Sequence, residues 1–232
     1  MVKKKNLSGY FDQIKKPKSL NEITYRQLKT AIIEGKLAPG ELYTELGLAK
    51  SLGISRTPVR EALLRLATEN FIIFHPRRGM SINLFTPEEV ENLYELRQAL
   101  EETAFSKIAG NLTPEQIQEV KNIIREQENS EKSFSKHDRK FHLFLIEAHG
   151  NRFVTQTYNN LLDYITILIR KTLMQKGRAK EAIREHREIL ESLIRGDARR
   201  TQEAVTRHLQ NSKMSALERI ARIKNELLSA GE

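Results

Sequence analysis

Gly53-Ile-Ser-Arg-Thr-Pro-Val-Arg-Glu-Ala-Leu63 decides how the first third of this chain is read. Ser55 can cap a helix, Pro58 is tolerated in its first turn, and Val59, Ala62, Leu63 and Leu66 then share one inward face. Upstream, a short helix of about Thr44 to Ser51 is closed by Gly53, and the few residues Leu52-Gly-Ile54 join the two helices into a helix-turn-helix. In front of them, Ser19-Leu-Asn-Glu22 fits a capping box, opening a helix that ends near Gly35 with Ile23, Leu28, Ile32 and Ile33 on one face. Behind them, Phe71-Ile-Ile-Phe74 and the segment around Met80-Ser-Ile82 are β-rich. They flank Pro76-Arg-Arg-Gly79, whose turn chemistry predicts a hairpin wing.

The second helix of a helix-turn-helix presents its N-terminal residues to the major groove of DNA. Ser55 and Thr57 can donate to phosphate there, assisted by the positive end of the helix. Arg56 and Arg60 are four residues apart on one face, and either guanidinium can take guanine O6 and N7 together. Each of these residues taken singly also fits an ordinary solvated position around a cap. The charge distribution fits a polyanion-binding module joined to a neutral one, with a solvated basic tail as its other reading. Residues 1–85 carry 15 Lys and Arg against 7 Asp and Glu, whereas residues 86–232 carry 24 against 23. Six of the early charges, Lys3, Lys4, Lys5, Lys15, Lys16 and Lys18, lie in a stretch without hydrophobic periodicity. We therefore expect a mobile basic arm over 1–18 and a winged helix-turn-helix over 19–85.

From residue 86 the pattern is helical throughout. Thr86-Pro-Glu-Glu89 and Thr113-Pro-Glu-Gln116 both combine a cap residue, an early Pro and early acidic or amide side chains. Six helices are expected near 87–109, 114–131, 134–149, 151–175, 178–195 and 198–228, with Gly110, Gly150 and Gly196 as stops. Leu161, Leu162, Ile165, Leu168 and Ile169 mark a heavily buried helix, so the fold class is mainly α with an antiparallel bundle over 86–232. The absence of cysteine removes disulfides, thiol catalysis and cysteine-bound zinc. No run approaches the roughly 20 apolar residues of a membrane span, and the charged start lacks a signal-peptide core, so a cytoplasmic protein is expected.

The bundle holds the chemistry-bearing histidines. Asp138 and His142 share a helix face at four-residue spacing, which suits either a surface salt link or a shared ion. His186 and His208 fall mid-helix beside apolar positions, where a satisfied core histidine is the other reading. His137 would point off the Asp138 face, His149 adjoins a helix-ending glycine, and His75 belongs to the wing; we expect none of these three to be a ligand.

Gly35-Lys-Leu-Ala-Pro-Gly40, Leu48-Ala49, Leu52 to Leu63, Leu66, Glu69 and Arg78-Gly79 occur in the order that resembles the GntR family of bacterial regulators. The resemblance implies that Ser55, Arg56, Thr57 and Arg60 contact an operator and that Arg77, Arg78 and Gly79 enter a minor groove. Three positions depart from the pattern: Tyr43 replaces a usual leucine, Leu46 a frequent DNA-touching basic residue, and Asn70 a frequent glycine. Asparagine tolerates the left-handed ending required there. In the bundle, Asp138-Arg-Lys-Phe-His142, His149-Gly-Asn151, Glu185-His186 and His208 look like the metal-binding effector (FCD) domain of the family's FadR branch. That likeness implies a set of one acid and three histidines at Asp138, His142, His186 and His208. It also implies one divalent zinc, nickel, cobalt or manganese, a small carboxylate effector and a homodimer. Arg97 is similar to a pocket-facing arginine that holds the carboxylate; an exposed arginine paired with Glu101 is its other reading. A constitutive DNA binder with a structural metal, and a metallohydrolase using the same ligands, are the alternatives.

Overall fold

The computed structural model describes residues 19–129, 134–172 and 177–229. The expected basic arm, the helix ends at 130–131 and 173–175, and the side chain of Ile169 lie outside them. The described residues divide into two compact units, one of residues 19–32 and 37–83 and the other of residues 33–36 and 84–229.

The first unit contains α1 (Leu20–Ile33), α2 (Glu45–Leu52), α3 (Arg56–Thr68), β1 (Ile72–His75) and β2 (Gly79–Ile82). α1 buries Thr24, Tyr25, Leu28 and Ile32, whereas Ile23 is 44% exposed and Ile33 only partly covered. The expected apolar face is thus rotated, because Tyr25 takes the inward place. Its hydroxyl donates to Glu69 at 2.6 Å and the Arg65 guanidinium lies 3.6 Å above its ring. Glu22 does not complete the expected capping box; its carboxylate pairs with Arg26 and Arg65. α2 is capped by Thr44, which accepts from Gly47 N, and is closed by Gly53 at φ 67°. α3 opens at Ser55, but contrary to expectation the Ser55 hydroxyl makes no capping bond. Just past the α3 cap residue Glu69, Asn70 adopts φ 56°, the left-handed conformation that asparagine tolerates.

The wing is an antiparallel pair in which Phe74 faces Met80 and His75 faces Gly79. Arg78 N donates to His75 O across a turn with Pro76 second and Arg77, at φ 63°, third. Tyr43 adds one more rung, exchanging two 2.8 Å backbone bonds with Met80. Gly79 is required for that approach: a Cβ there would lie 2.3 Å from Tyr43 O.

The second unit contains α4 (Pro87–Ile108), α5 (Pro114–Asn129), α6 (Phe134–Ala148), α7 (Arg152–Thr172), α8 (Arg178–Arg195) and α9 (Ala198–Ser229). Thr86 and Glu89 form a full capping box on α4, and Thr113 and Gln116 form the equivalent reciprocal pair before α5. Phe105, Phe141, Leu145, Ile146, Tyr158, Leu161 and Ile165 lie in one continuous core. α9 packs on α4, α7 and α8; α6 packs on α4, α5 and α7. Gly110 lets the ends of α4 and α8 meet. Its amide donates to Leu193 O at 2.8 Å, and a Cβ on it would lie 3.1 Å from Gly196 Cα. Among the described residues no helix is long and apolar enough to cross a membrane.

Candidate functional site

The first unit offers a basic groove. Arg56 and Arg60 project from the start of α3 with side chains 65% and 68% exposed, and Ser55 and Thr57 are exposed beside them. Arg77 and Arg78 close the groove from the wing, leaving about 610 Å³ between helix and hairpin. Glu45 sits within it, 3.2 Å from Arg56 and 4.0 Å from Arg60. Such surface pairs are weak, so both guanidinium groups remain available to a stronger acceptor. The uncapped amides of α3 and its free Ser55 hydroxyl point the same way chemically, toward an anion.

The second unit encloses the histidines. His142 on α6, His186 on α8 and His208 on α9 are 0–2% exposed, and each offers a ring nitrogen within 4.8 Å of the others. The Nε2 atoms of His142 and His208 are 3.2 Å apart. Asp138, one turn before His142, brings Oδ1 to 3.6 Å from His186 Nε2 and 4.0 Å from His142 Nε2. Asp138 and His142 are therefore buried, and the surface salt link is excluded. Each Nδ1 faces an acceptor: Glu101 at 2.9 Å for His142, Gln127 at 2.9 Å for His186 and Glu185 at 2.7 Å for His208. Arginines in turn hold the two carboxylates. Arg97 Nε donates to Glu101 at 2.7 Å, while Arg178 grips Glu185 with two bonds of 3.0 and 2.9 Å.

The electrostatics follow from burial and these partners. Burial pushes the His186 imidazolium well below its ordinary range, and the neighbouring His208 and His142 push it further; burial lowers His208 as well, against the pull of Glu185. Neutral imidazole is the form that binds metal. Burial opposes ionisation of Glu101, but Arg97 and His142 outweigh it and hold its carboxyl well below the usual range. Glu185 falls to about 2, because bonds from His208 and Arg178 exceed the cost of its burial. Burial raises Tyr158 far above its normal value and keeps its hydroxyl a donor to Glu101.

These residues fit a metal ion. His186 Nε2 is buried without a hydrogen-bond partner beside the Asp138 carboxylate, and two further Nε2 atoms converge on the same place. Two ring nitrogens 3.2 Å apart need a cation between them unless one carries the proton. Arg97 pairs with Glu101, as one sequence reading has it, but it is 1% exposed where that reading expects an exposed side chain, and its Nη2 has no hydrogen-bond partner. The other histidines stand apart, His75 against Ser81 at 2.8 Å and His137 against Glu126 at 3.6 Å, with His149 half-buried near the end of α6. Sequence reading missed Gln127, Tyr158 and Arg178, met Glu185 only as part of the Glu185-His186 motif and saw Glu101 only as a partner for Arg97. Arg178 and Glu185 were findable, being two turns apart on one face. Gln127, 59 residues from His186, carries no local signal.

A winged helix-turn-helix followed by an all-helical unit with a buried histidine cluster defines the class: a DNA-binding transcription regulator with an attached helical domain. Residues 20–82 match the bacterial regulatory proteins of the gntR family, and residues 92–211 match the FCD domain. The chain is 30% identical over 197 residues to the HTH-type transcriptional regulator YdhC of Bacillus subtilis, covering 81% of this chain and 86% of that protein. It is 26% identical to the HTH-type transcriptional repressor RspR of Escherichia coli, covering 85% and 89%. The E. coli McbR/YncC structure shares the fold at TM-score 0.72 and 21% identity, covering 87% of this chain and 98% of that one. The chain belongs to the GntR family and carries an FCD domain. These relatives are transcription regulators, which sets the metallohydrolase reading aside.

Proposed function

We propose that this regulator binds its operator as a homodimer and that a small carboxylate metabolite changes its affinity for DNA. Each subunit reads one half-site. Arg56 and Arg60 read bases, Ser55 and Thr57 meet phosphate, and Arg77, Arg78 and Gly79 approach the minor groove. In the second unit Asp138, His142, His186 and His208 hold one divalent zinc, nickel, cobalt or manganese ion. A bound ion supplies fixed positive charge to which an anionic ligand can attach. Arg97, with its unpartnered Nη2, receives the carboxylate. The observation that carries this reading is the convergence of three buried histidines beside Asp138, with His186 Nε2 left without a partner. Because these ligands come from three helices, an anion bound there favours one arrangement of the bundle over another.

The test uses full-length protein purified without a histidine tag, after incubation with zinc, nickel, cobalt and manganese. Elemental analysis is expected to find about one ion per subunit, and a folded His142→Ala/His186→Ala variant to lose it. Acetate, lactate, succinate and citrate are then titrated against the protein bound to a duplex selected from a random-core library. At least one should shift wild-type affinity and leave the variant unmoved. Metal fully retained by the variant overturns the site. A carboxylate acting equally on both proteins makes the metal structural.

A further inference from the structure

A metal ion takes only an unprotonated ring nitrogen, so a histidine triad must settle which nitrogen carries the proton before any ion arrives. In water the commoner neutral imidazole keeps its proton on Nε2, the wrong nitrogen for three rings whose Nε2 atoms converge. The structure contains a device that reverses this preference at each ring, drawn from three elements that contribute no ligand or a single histidine. Glu101 on α4 accepts from His142 Nδ1, Gln127 on α5 from His186 Nδ1, and Glu185 on α8 from His208 Nδ1. All three acceptors are buried, at 0, 1 and 6% exposure.

We infer that Glu101, Gln127 and Glu185 are positioning residues: each fixes its histidine as the Nδ1–H tautomer and aims the Nε2 lone pair at a common point. This rests on the metal reading proposed above. The two carboxylates are themselves oriented, since Arg97 and Tyr158 both donate to Oε1 of Glu101 and leave Oε2 for His142. Asn211 holds Oε1 of Glu185 and Arg178 donates to both oxygens, while Oε2 also faces His208. His142 and His208 are thereby backed by negative charge and are the stronger donors; His186, backed by a neutral amide, is the weaker.

Glu101→Gln separates this role from mere packing. Arg97 and Tyr158 demand an oxygen at the Oε1 position, so the new amide must turn its NH2 toward His142 Nδ1, which can then only accept. His142 is forced into the Nε2–H tautomer while volume and the Arg97 contact survive. Imidazole 15N correlation spectra of metal-free protein should show Nδ1–H on all three histidines of the wild type, a proton held between the Nε2 atoms of His142 and His208 being additional to these, and loss of Nδ1–H at His142 alone in the variant. Zinc affinity, read by competition with a chromogenic chelator, should fall about 10–100-fold. Gln127→Leu, which removes no charge, should release His186 and lower zinc affinity comparably, and it serves if Glu101→Gln does not fold. Folded variants that keep Nδ1–H and bind zinc as tightly as wild type overturn the inference while leaving the metal site standing. A wild type with three Nδ1–H histidines that binds none of the four metals overturns the metal reading, and the positioning role with it.

Discussion

Arg77 occupies a conformation that favours glycine. At φ 63° it costs roughly 1 kcal/mol relative to glycine, yet it stands at the tip of the wing, beside the groove holding Arg56 and Arg60. Arg77→Gly removes that strain but adds a comparable entropy to the unfolded chain, so stability is expected to change by less than about 0.5 kcal/mol. DNA affinity is expected to fall, and the slope of log affinity against log salt to lose about one unit, as for one lost phosphate contact. Titration against one duplex at several salt concentrations decides this, and an unchanged slope would remove Arg77 from the interface. The residue type was legible in Pro76-Arg-Arg-Gly79, but its backbone conformation was not. Gly79 shows the same limit. The resemblance placed it in the minor groove, whereas it also makes room for Tyr43, a partner 36 residues earlier that no local pattern marks.

At the scale of elements, α1 and α3 are joined by a polar seam as much as an apolar one. Glu69 receives Tyr25 OH at 2.6 Å, Lys29 at 3.1 Å and Arg65 at 3.2 Å. Partial burial raises its pKa, but these three donors outweigh it and the net shift is downward. A carboxylate whose folded pKa is depressed adds stability above its unfolded pKa, and loses it as pH falls through the folded value. Glu69→Gln should therefore destabilise the first unit at neutral pH by about 1 kcal/mol or less, with the gap closing below pH 4. Hydrogen exchange in α1 and α3 across that range measures it; a gap independent of pH would mean that the charge of Glu69 contributes nothing. This seam explains why α1 was misjudged. Its four apolar residues fit a helical stripe, but Tyr25 burying its ring under Arg65 turned the helix and left Ile23 exposed. The starts of α4 and α5 were more legible, because Thr86 and Thr113 act within four residues of themselves, whereas the caps expected at Ser19 and Ser55 did not form.

Across the second unit as a whole, the histidine centre gathers side chains from every helix: Glu101 from α4, Gln127 from α5, Asp138 and His142 from α6, Tyr158 from α7, His186 and Glu185 from α8, and His208 from α9. The histidines and Asp138 could be picked from sequence because few residue types bind metals. Their supporting shell could not, because it is assembled by packing between helices distant in the chain. Without a cation, this shell buries His186 Nε2 without a partner, and such an orphan costs about 1–3 kcal/mol. An ion bound only by the folded state should add about 2.7 kcal/mol at one hundred times its dissociation constant. For a unit of this size that corresponds to a melting shift of roughly 5–10 °C. Chelation should therefore accelerate hydrogen exchange in α6, α8 and α9 and leave residues 19–83 unchanged, since none of the gathered residues belongs to the first unit. Adding zinc back should restore protection in the same three helices together, because their ligands close on one point. Uniform loss of protection across both units would point instead to an effect of the chelator on the whole protein. Unchanged protection everywhere would mean that the histidine cluster holds itself together without an ion.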